Sequence, residues 1–240
     1  MGCNSSAPAS GPISKPAGGK NVLNQCVEFH YFEGLNGRAD PLRQMFEFHG
    51  QDYRKIGEDA PGWEAKKARG EGGEFGGGLP YAEITLAGKK HRMAQFGAIL
   101  RMFCIKYGYY NPKDWKCALY NDMIVDTWCD VAGAMGGVLF GGEANKAANT
   151  EKFMALGKKF NMLIEKQLNH HQGKYAAGNK ICMADFIMAS WVGNFIMNDE
   201  CPFSPGLKAC VADTPKARTY FMCIYAEFPY LKTRGKTSAF

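Results

Sequence analysis

The most constraining feature of this sequence is the segment of residues 79–103, which predicts two strands and a helix in close succession. A Leu-Pro pair precedes Tyr81–Leu86, a run of strand type, and the turn residues 87–90 lead to a second short strand. Gln95 opens a helix, because apolar residues recur at helical spacing from there to Phe103. The order strand, turn, strand, helix therefore fixes the end of an α/β unit.

The same segment predicts a binding site. Pro80 cannot donate a ladder hydrogen bond, so we expect something other than a neighbouring strand beside it. The first amides of a helix that begins at Gln95 lack intrahelical partners and favour an anion. A free strand edge next to such a helix start suits a short peptide that carries carboxylates.

The remaining patterns divide the chain into a tail and two domains. Residues 1–25 are predicted to be a disordered tail, 26–108 a thioredoxin-like α/β domain, 109–117 a linker, and 118–240 an all-α domain. In the first domain we predict strands at 26–32 and 53–56 and helices at 41–48 and 63–68. In the second we predict helices at 118–131 and 151–168, with a loosened pattern at 132–137 and a new helix at Cys182.

Composition excludes several classes. The 240 residues are 46% hydrophobic and 13% aromatic, which indicates a globular protein, and no apolar run approaches the length of a membrane span. The net charge of +6 is spread along the chain, so no nucleic-acid partner is expected. Nine scattered cysteines without a CxxC motif and five histidines without ligand spacing predict no metal site and reduced thiols in the cytoplasm.

The first six residues match a lipidation pattern. Gly2 follows the initiator Met, Ser6 stands at the required position, and Cys3 offers a second acceptor. Myristoylation at Gly2 with palmitoylation at Cys3 would tether a globular domain to the cytoplasmic face of a membrane, because two acyl chains anchor stably. The alternative is a coincidental tail on a soluble protein.

Four separated motifs resemble those of cytosolic glutathione S-transferases. Leu79-Pro80 and residues 95–101 resemble the Val/Leu-Pro and Gln-Ser-x-Ala-Ile-x-Arg signatures of that family. Tyr31 with residues 37–43 is similar to its catalytic-tyrosine loop and first helix, and residues 177–186 to its helical-domain capping motif. These motifs are most similar to those of the classes with a catalytic tyrosine, particularly the sigma class. The resemblance covers about residues 26–232. It implies the glutathione transferase fold and glutathione as co-substrate.

The resemblance also implies roles for individual residues. Tyr31 would activate the glutathione thiol, and Arg38 would place a positive charge near the sulfur. Asp130 would reach the γ-glutamyl amine in the partner subunit of a homodimer. The other implied contacts to glutathione are Trp63 and Lys67 for the glycyl carboxylate, Leu79, Pro80 and the Tyr81 backbone for the cysteinyl part, and Gln95 and Phe96 for the γ-glutamyl end. A hydrophobic electrophile would be the second substrate, with Met135, Phe140 and Phe240 as candidate lining.

Three departures concentrate at this site. Phe96 stands where the family has a serine, the loop between Tyr31 and Arg38 is one residue longer than the family norm, and glycines precede Pro80. Two hypotheses follow: a glutathione transferase, or a non-catalytic descendant that serves as a membrane-tethered binding or structural module. A third, a thioredoxin-like redox enzyme or a chloride-channel relative, lacks a cysteine near Tyr31.

Overall fold

The computed structural model describes residues 26–71 and 78–233. Its first part contains strands β1 Val27–Phe32, β2 Tyr53–Glu58, β3 Tyr81–Leu86 and β4 Lys89–Ala94, and helices α1 Asp40–His49, α2 Ala60–Ala68 and α3 Phe96–Tyr107. A 3₁₀ turn, Gly37–Ala39, precedes α1. The second part contains helices α4 Trp115–Phe140, α5 Glu143–His171, α6 Met183–Trp191, α7 Ser204–Val211, α8 Pro215–Glu227 and α9 Tyr230–Thr233. A π-helical segment, Val192–Ile196, continues α6.

The four strands form one mixed sheet in the order β2-β1-β3-β4. Strand β1 runs parallel to β2 and antiparallel to β3, and β4 is antiparallel to β3. On β1 alternate residues are buried against the helices: Phe29 packs edge-on against Phe46 of α1, which in turn packs against Phe103 of α3. The predicted α/β thioredoxin-like domain followed by an all-α domain is confirmed.

The expected free strand edge after Pro80 is wrong. Tyr81 pairs with His30 of β1 on one side and with Ala94 of β4 on the other, so β3 is an interior strand. The Leu79–Pro80 peptide bond is cis, and both residues precede the strand. The Tyr81 backbone therefore has a strand on each side instead of a free edge.

Two helices extend beyond their predicted bounds. Helix α4 begins inside the predicted linker, at Trp115, and continues without a break through residues 132–137 to Phe140. The glycines there suggested a loosened pattern, but long helices tolerate glycine where packing holds them. Helix α5 begins at Glu143, well before the predicted start at 151.

The helical domain has an aromatic core. Trp128 of α4, Trp191 of α6 and Phe160 of α5 are fully buried, and their ring centroids lie 5.5–6.2 Å apart in neighbouring pairs. Helix α4 is also the one helix among the described residues that is long and apolar enough, by length and composition, to cross a membrane. Since Trp128 lies in this core, the length and apolarity of α4 fit a core helix of the domain.

The two domains share an aromatic contact. The Phe48 ring of α1 lies 5.8 Å from Phe186 of α6 and 5.0 Å from Phe228, which follows α8. An ion pair adds a second contact, since Arg101 of α3 lies 2.7 Å from Asp122 of α4. These contacts join the two domains, and the candidate site lies between them.

Candidate active site

The hydroxyl group of Tyr31 is hydrogen-bonded to the loop that follows β1. Its hydroxyl oxygen accepts the backbone N–H of Arg38 at 3.1 Å, and the side chain is 7% exposed. Gly37 lies so close that a Cβ there would collide with the hydroxyl, and its φ of +39° also favours glycine. Burial raises the pKa of Tyr31, while the Arg38 amide and guanidinium oppose this. The phenol is therefore protonated at neutral pH and can donate its hydrogen to an anion.

The longer loop is held by a buried polar network that reaches the other domain. Arg43 of α1 donates to Asn36 Oδ1 at 3.0 Å and to the Leu35 carbonyl at 2.8 Å. Asn36 Nδ2 donates in turn to Asn194 Oδ1 at 3.1 Å, and Asn194 Nδ2 donates to Asp40 Oδ2 at 3.1 Å. Asn194 belongs to the π-helical segment. The extra loop residue is thus fixed in one conformation instead of swinging the tyrosine away.

Tyr31 lines a largely apolar cavity of about 250 Å³ between the domains. Its walls come from the tyrosine loop, from α4 and from the π-helical segment, and include Phe32, Leu35, Met135, Phe140 and Phe195. Phe140 is 69% exposed at this cavity, so its ring is open to solvent on one side. Such a cavity fits a small hydrophobic molecule held next to a hydroxyl.

A second cavity, of about 230 Å³, adjoins the first at Arg38 and Leu79, which line both. It lies at the start of α3 and is lined there by Gln95, Phe96 and Gly97. Gln95 is the residue before α3, with an unusual φ of +68°, whereas the helix was predicted to begin at Gln95 itself. Because the first amides of α3 lie at this cavity, it suits a carboxylate.

Phe96, which stands where the glutathione transferase family has a serine, is buried. The side chain is 4% exposed, belongs to the hydrophobic core and also lines the second cavity. Its ring supplies no hydroxyl to an anion at the start of α3. The backbone amide of residue 96 stays at the helix terminus, as the sequence predicts.

Comparison with known proteins identifies a similar family. Residues 130–226 match the family described as glutathione S-transferase, C-terminal domain. The helical part of this chain is thus similar to the C-terminal domain of glutathione S-transferases. No curated protein sequence matches the chain.

Solved structures agree over the whole fold. A monomeric glutathione S-transferase from the hookworm Necator americanus superposes with a TM-score of 0.67 at 22% identity, covering 89% of this chain and 99% of that one. A glutathione S-transferase from Ascaris lumbricoides gives 0.68 at 18% identity, with coverage of 89% and 100%. The sigma-class enzyme of Fasciola hepatica gives 0.64 at 20% identity, with 89% and 99%. The resemblance to glutathione transferases is confirmed, and the described residues have their fold.

The other predicted glutathione-transferase contacts lie outside the two cavities. Trp63 and Lys67 are on α2 and, within the described ranges, line neither cavity. The Trp63 ring is 4% exposed and stacks 6.1 Å from Tyr81, while Lys67 pairs with Glu64 at 2.5 Å. Asp130 is exposed on α4 and lines neither cavity. Gly2, Cys3 and Phe240 lie outside the described residues.

Sequence reasoning missed the residues that position the tyrosine. Asn36, Arg43 and Asn194 are buried polar side chains far apart in the sequence, and nothing in their local patterns indicates a shared network. The one usable signal was Arg43 among the buried residues of α1. A buried guanidinium needs acceptors, and here a loop supplies them.

Proposed function

We propose that this protein binds glutathione and conjugates it to hydrophobic electrophiles, with Tyr31 activating the thiol. The observation that carries this proposal is the pair of adjoining cavities, one polar at a helix start and one apolar beside a protonated phenol. A thiol ionises near pH 8.5 in water, and a hydrogen bond donated to its sulfur lowers that value by favouring the thiolate.

In this proposal glutathione spans the second cavity. The γ-glutamyl carboxylate accepts hydrogen bonds from the first amides of α3 near Phe96, and Gln95 contacts the same end of the peptide. The cysteinyl part pairs with the backbone at Leu79, which lines both cavities, rather than with Tyr81. Trp63 and Lys67 on α2 are assigned to the glycyl carboxylate by the resemblance alone, since they line neither cavity.

The sulfur then lies between the two cavities. The Tyr31 hydroxyl donates a hydrogen bond to the sulfur, and the Arg38 amide donates one to the hydroxyl oxygen. The bond from Arg38 polarises the hydroxyl and strengthens its hydrogen bond to the sulfur. The Arg38 guanidinium, which reaches α4 beside Gly133, adds positive charge. The thiolate attacks an electrophile in the apolar cavity, a carbon–sulfur bond forms, and the leaving group departs with the electron pair.

Assembly and location extend this proposal. Exposed apolar side chains on α3 and α4, namely Ile105, Leu119 and Met123, suit a homodimer contact through which Asp130 would reach the partner's site. One structurally similar glutathione S-transferase is monomeric, so the dimer is to be tested by light scattering. Acylation at Gly2 and Cys3 would hold the protein at a cytoplasmic membrane face, which a Gly2→Ala variant would release.

The alternative is a binding or structural module with this fold and no conjugation, favoured by the buried Phe96 ring. Calorimetric titration of glutathione and a conjugation assay with a chloronitrobenzene electrophile separate the two. We expect binding, and a Tyr31→Phe rate lower by about 10- to 100-fold, the value of a hydrogen bond to a charged sulfur. Tyr53→Phe, on β2, is the matched control. Binding without turnover in the native protein would support the module.

A further inference from the structure

Three side chains meet on the face of the sheet that carries α2. Glu28 pairs directly with Glu83 across β1 and β3, and His30 lies two residues along β1, so all three project from one face. A ring nitrogen of His30 and one carboxylate oxygen from each glutamate lie within 4.8 Å of one another. This cluster is on the opposite face of β1 from Phe29 and Tyr31.

The imidazole of His30 is fixed in orientation. The ring is stacked 4.0 Å from Tyr81 and is 8% exposed. Its Nδ1 lies 2.9 Å from Oε1 of the buried Glu58, both of whose oxygens accept from Lys66 Nζ at 2.7 Å. A carboxylate beside Nδ1 holds the proton there and leaves the lone pair on Nε2.

Nε2 of His30 is buried and has no hydrogen-bond partner among the described residues. A buried nitrogen lone pair without a donor is costly, whereas a cation would satisfy it. A carboxylate that orients a histidine beside two further carboxylates is the arrangement that supports metal-binding histidines.

We propose that Glu28, His30 and Glu83 bind a divalent transition-metal ion of the Zn²⁺ type, with His30 Nε2 and one oxygen of each glutamate as ligands. One imidazole and two carboxylates suit zinc, and water completes its coordination. Glu58 orients the imidazole and does not bind the ion. The site is separate from the proposed glutathione site and holds β1 to β3.

Basic side chains compete for this site. Lys90 and Arg92 pair with Glu83, and Arg54 pairs with Glu28. Lys90 and Arg54 are more than half exposed, so they can turn to solvent when a cation replaces them. Lys90 reaches both Glu83 and Glu28, so removing it takes a competing positive charge away from each and should tighten metal binding by about two- to fivefold.

The test is titration of Zn²⁺ into the full chain after removal of metals with a chelator and under reducing conditions, followed by calorimetry. We expect one zinc per chain whose affinity falls by about tenfold or more in His30→Gln and in Glu83→Gln. The matched control is His91→Gln, an exposed histidine on β4 outside the cluster. Lys90→Ala should bind more tightly than the native protein.

Co²⁺ provides a second readout, because its visible absorption reports coordination by the protein. If His30→Gln does not fold, Glu28→Gln, whose side chain is 30% exposed, replaces it. Zinc affinity and cobalt absorption that are the same in the native protein and in the cluster variants would overturn the proposal, as would affinity lost equally in His91→Gln. Neither readout depends on conjugation, so failure here leaves the proposed transferase function standing.

Discussion

The backbone N–H of Arg38 donates a 3.1 Å hydrogen bond to the hydroxyl oxygen of Tyr31, seven residues earlier in the chain. The oxygen thereby has one lone pair occupied and the hydroxyl hydrogen left for a ligand. The loop that makes this bond passes so close to the hydroxyl that only a glycine fits at position 37. The tyrosine is therefore aimed by its own loop, and this geometry can be tested.

Gly37→Ala should disable the site while leaving the fold intact. The added methyl group would collide with the Tyr31 hydroxyl and break the Arg38 hydrogen bond, so we expect conjugation to fall about as far as in Tyr31→Phe. Gly34→Ala is the matched control, since it has a φ of +73° but open space around its Cβ. Each pays about 1–2 kcal/mol of backbone strain. Equal activity in the two alanine variants would contradict this geometry.

Phe96→Ser should strengthen glutathione binding relative to Phe96→Ala. Both remove the buried ring and create the same cavity, but only serine adds a hydroxyl beside the helix amide. A hydrogen bond to a carboxylate contributes about 1.5–3 kcal/mol, which corresponds to about 10- to 100-fold in Kd. Calorimetry of the two variants measures this difference directly. Identical Kd values would mean that the γ-glutamyl carboxylate does not lie at Phe96.

Asn194→Ala should destabilise the protein and disturb the tyrosine loop. It removes the acceptor of Asn36 and a donor to Asp40, both buried, so we expect a loss of about 2–3 kcal/mol in the free energy of unfolding. Denaturant unfolding measures the loss, and Asn145→Ala on the exposed start of α5 should stay within about 0.5 kcal/mol of the native protein. An unchanged conjugation rate in a folded Asn194→Ala protein would show that the network does not position Tyr31.

His49 should make the protein less stable in mild acid. Burial against Tyr107 and Tyr109 lowers the pKa of His49, so the unfolded chain binds a proton more readily than the folded one. Its contribution is complete above a pH of about 6.5 and is lost as the pH falls toward the lowered folded value. In His49→Phe the free energy of unfolding should depend less steeply on pH below about 6.5. Some pH dependence remains because burial also lowers the pKa of His30. Parallel pH profiles would contradict this.

The strands that could be predicted were those with local signals. Tyr81–Leu86 was predicted at its observed bounds, because a proline begins it and a glycine turn ends it. The free edge at Tyr81 was wrong because strand order is set by the β1 pairing, which the local sequence does not show. Tyr31 could be found through its family motif, whereas Asn194 could not, since the contact that gives it a role is 158 residues away.

The three residues of the proposed metal site were not grouped by the sequence for the same reason. Glu28 and His30 are close in the sequence, but Glu83 joins them only through pairing of β1 with β3. Histidine spacing alone therefore indicated no metal site. Clusters of this kind become visible when the register of a sheet is known.

Helix α4 lines both cavities, since Cys129 lies on the second and Met135 and Phe140 on the first. Each residue advances an unbroken helix by about 1.5 Å, so α4 fixes the separation between its residues at the first cavity and its residue at the second. Motion of α4 would shift both walls together and leave their spacing unchanged. For the proposed transferase, the distance along α4 from Cys129 to Phe140 would limit the length of the electrophile that the apolar cavity accepts beside Tyr31.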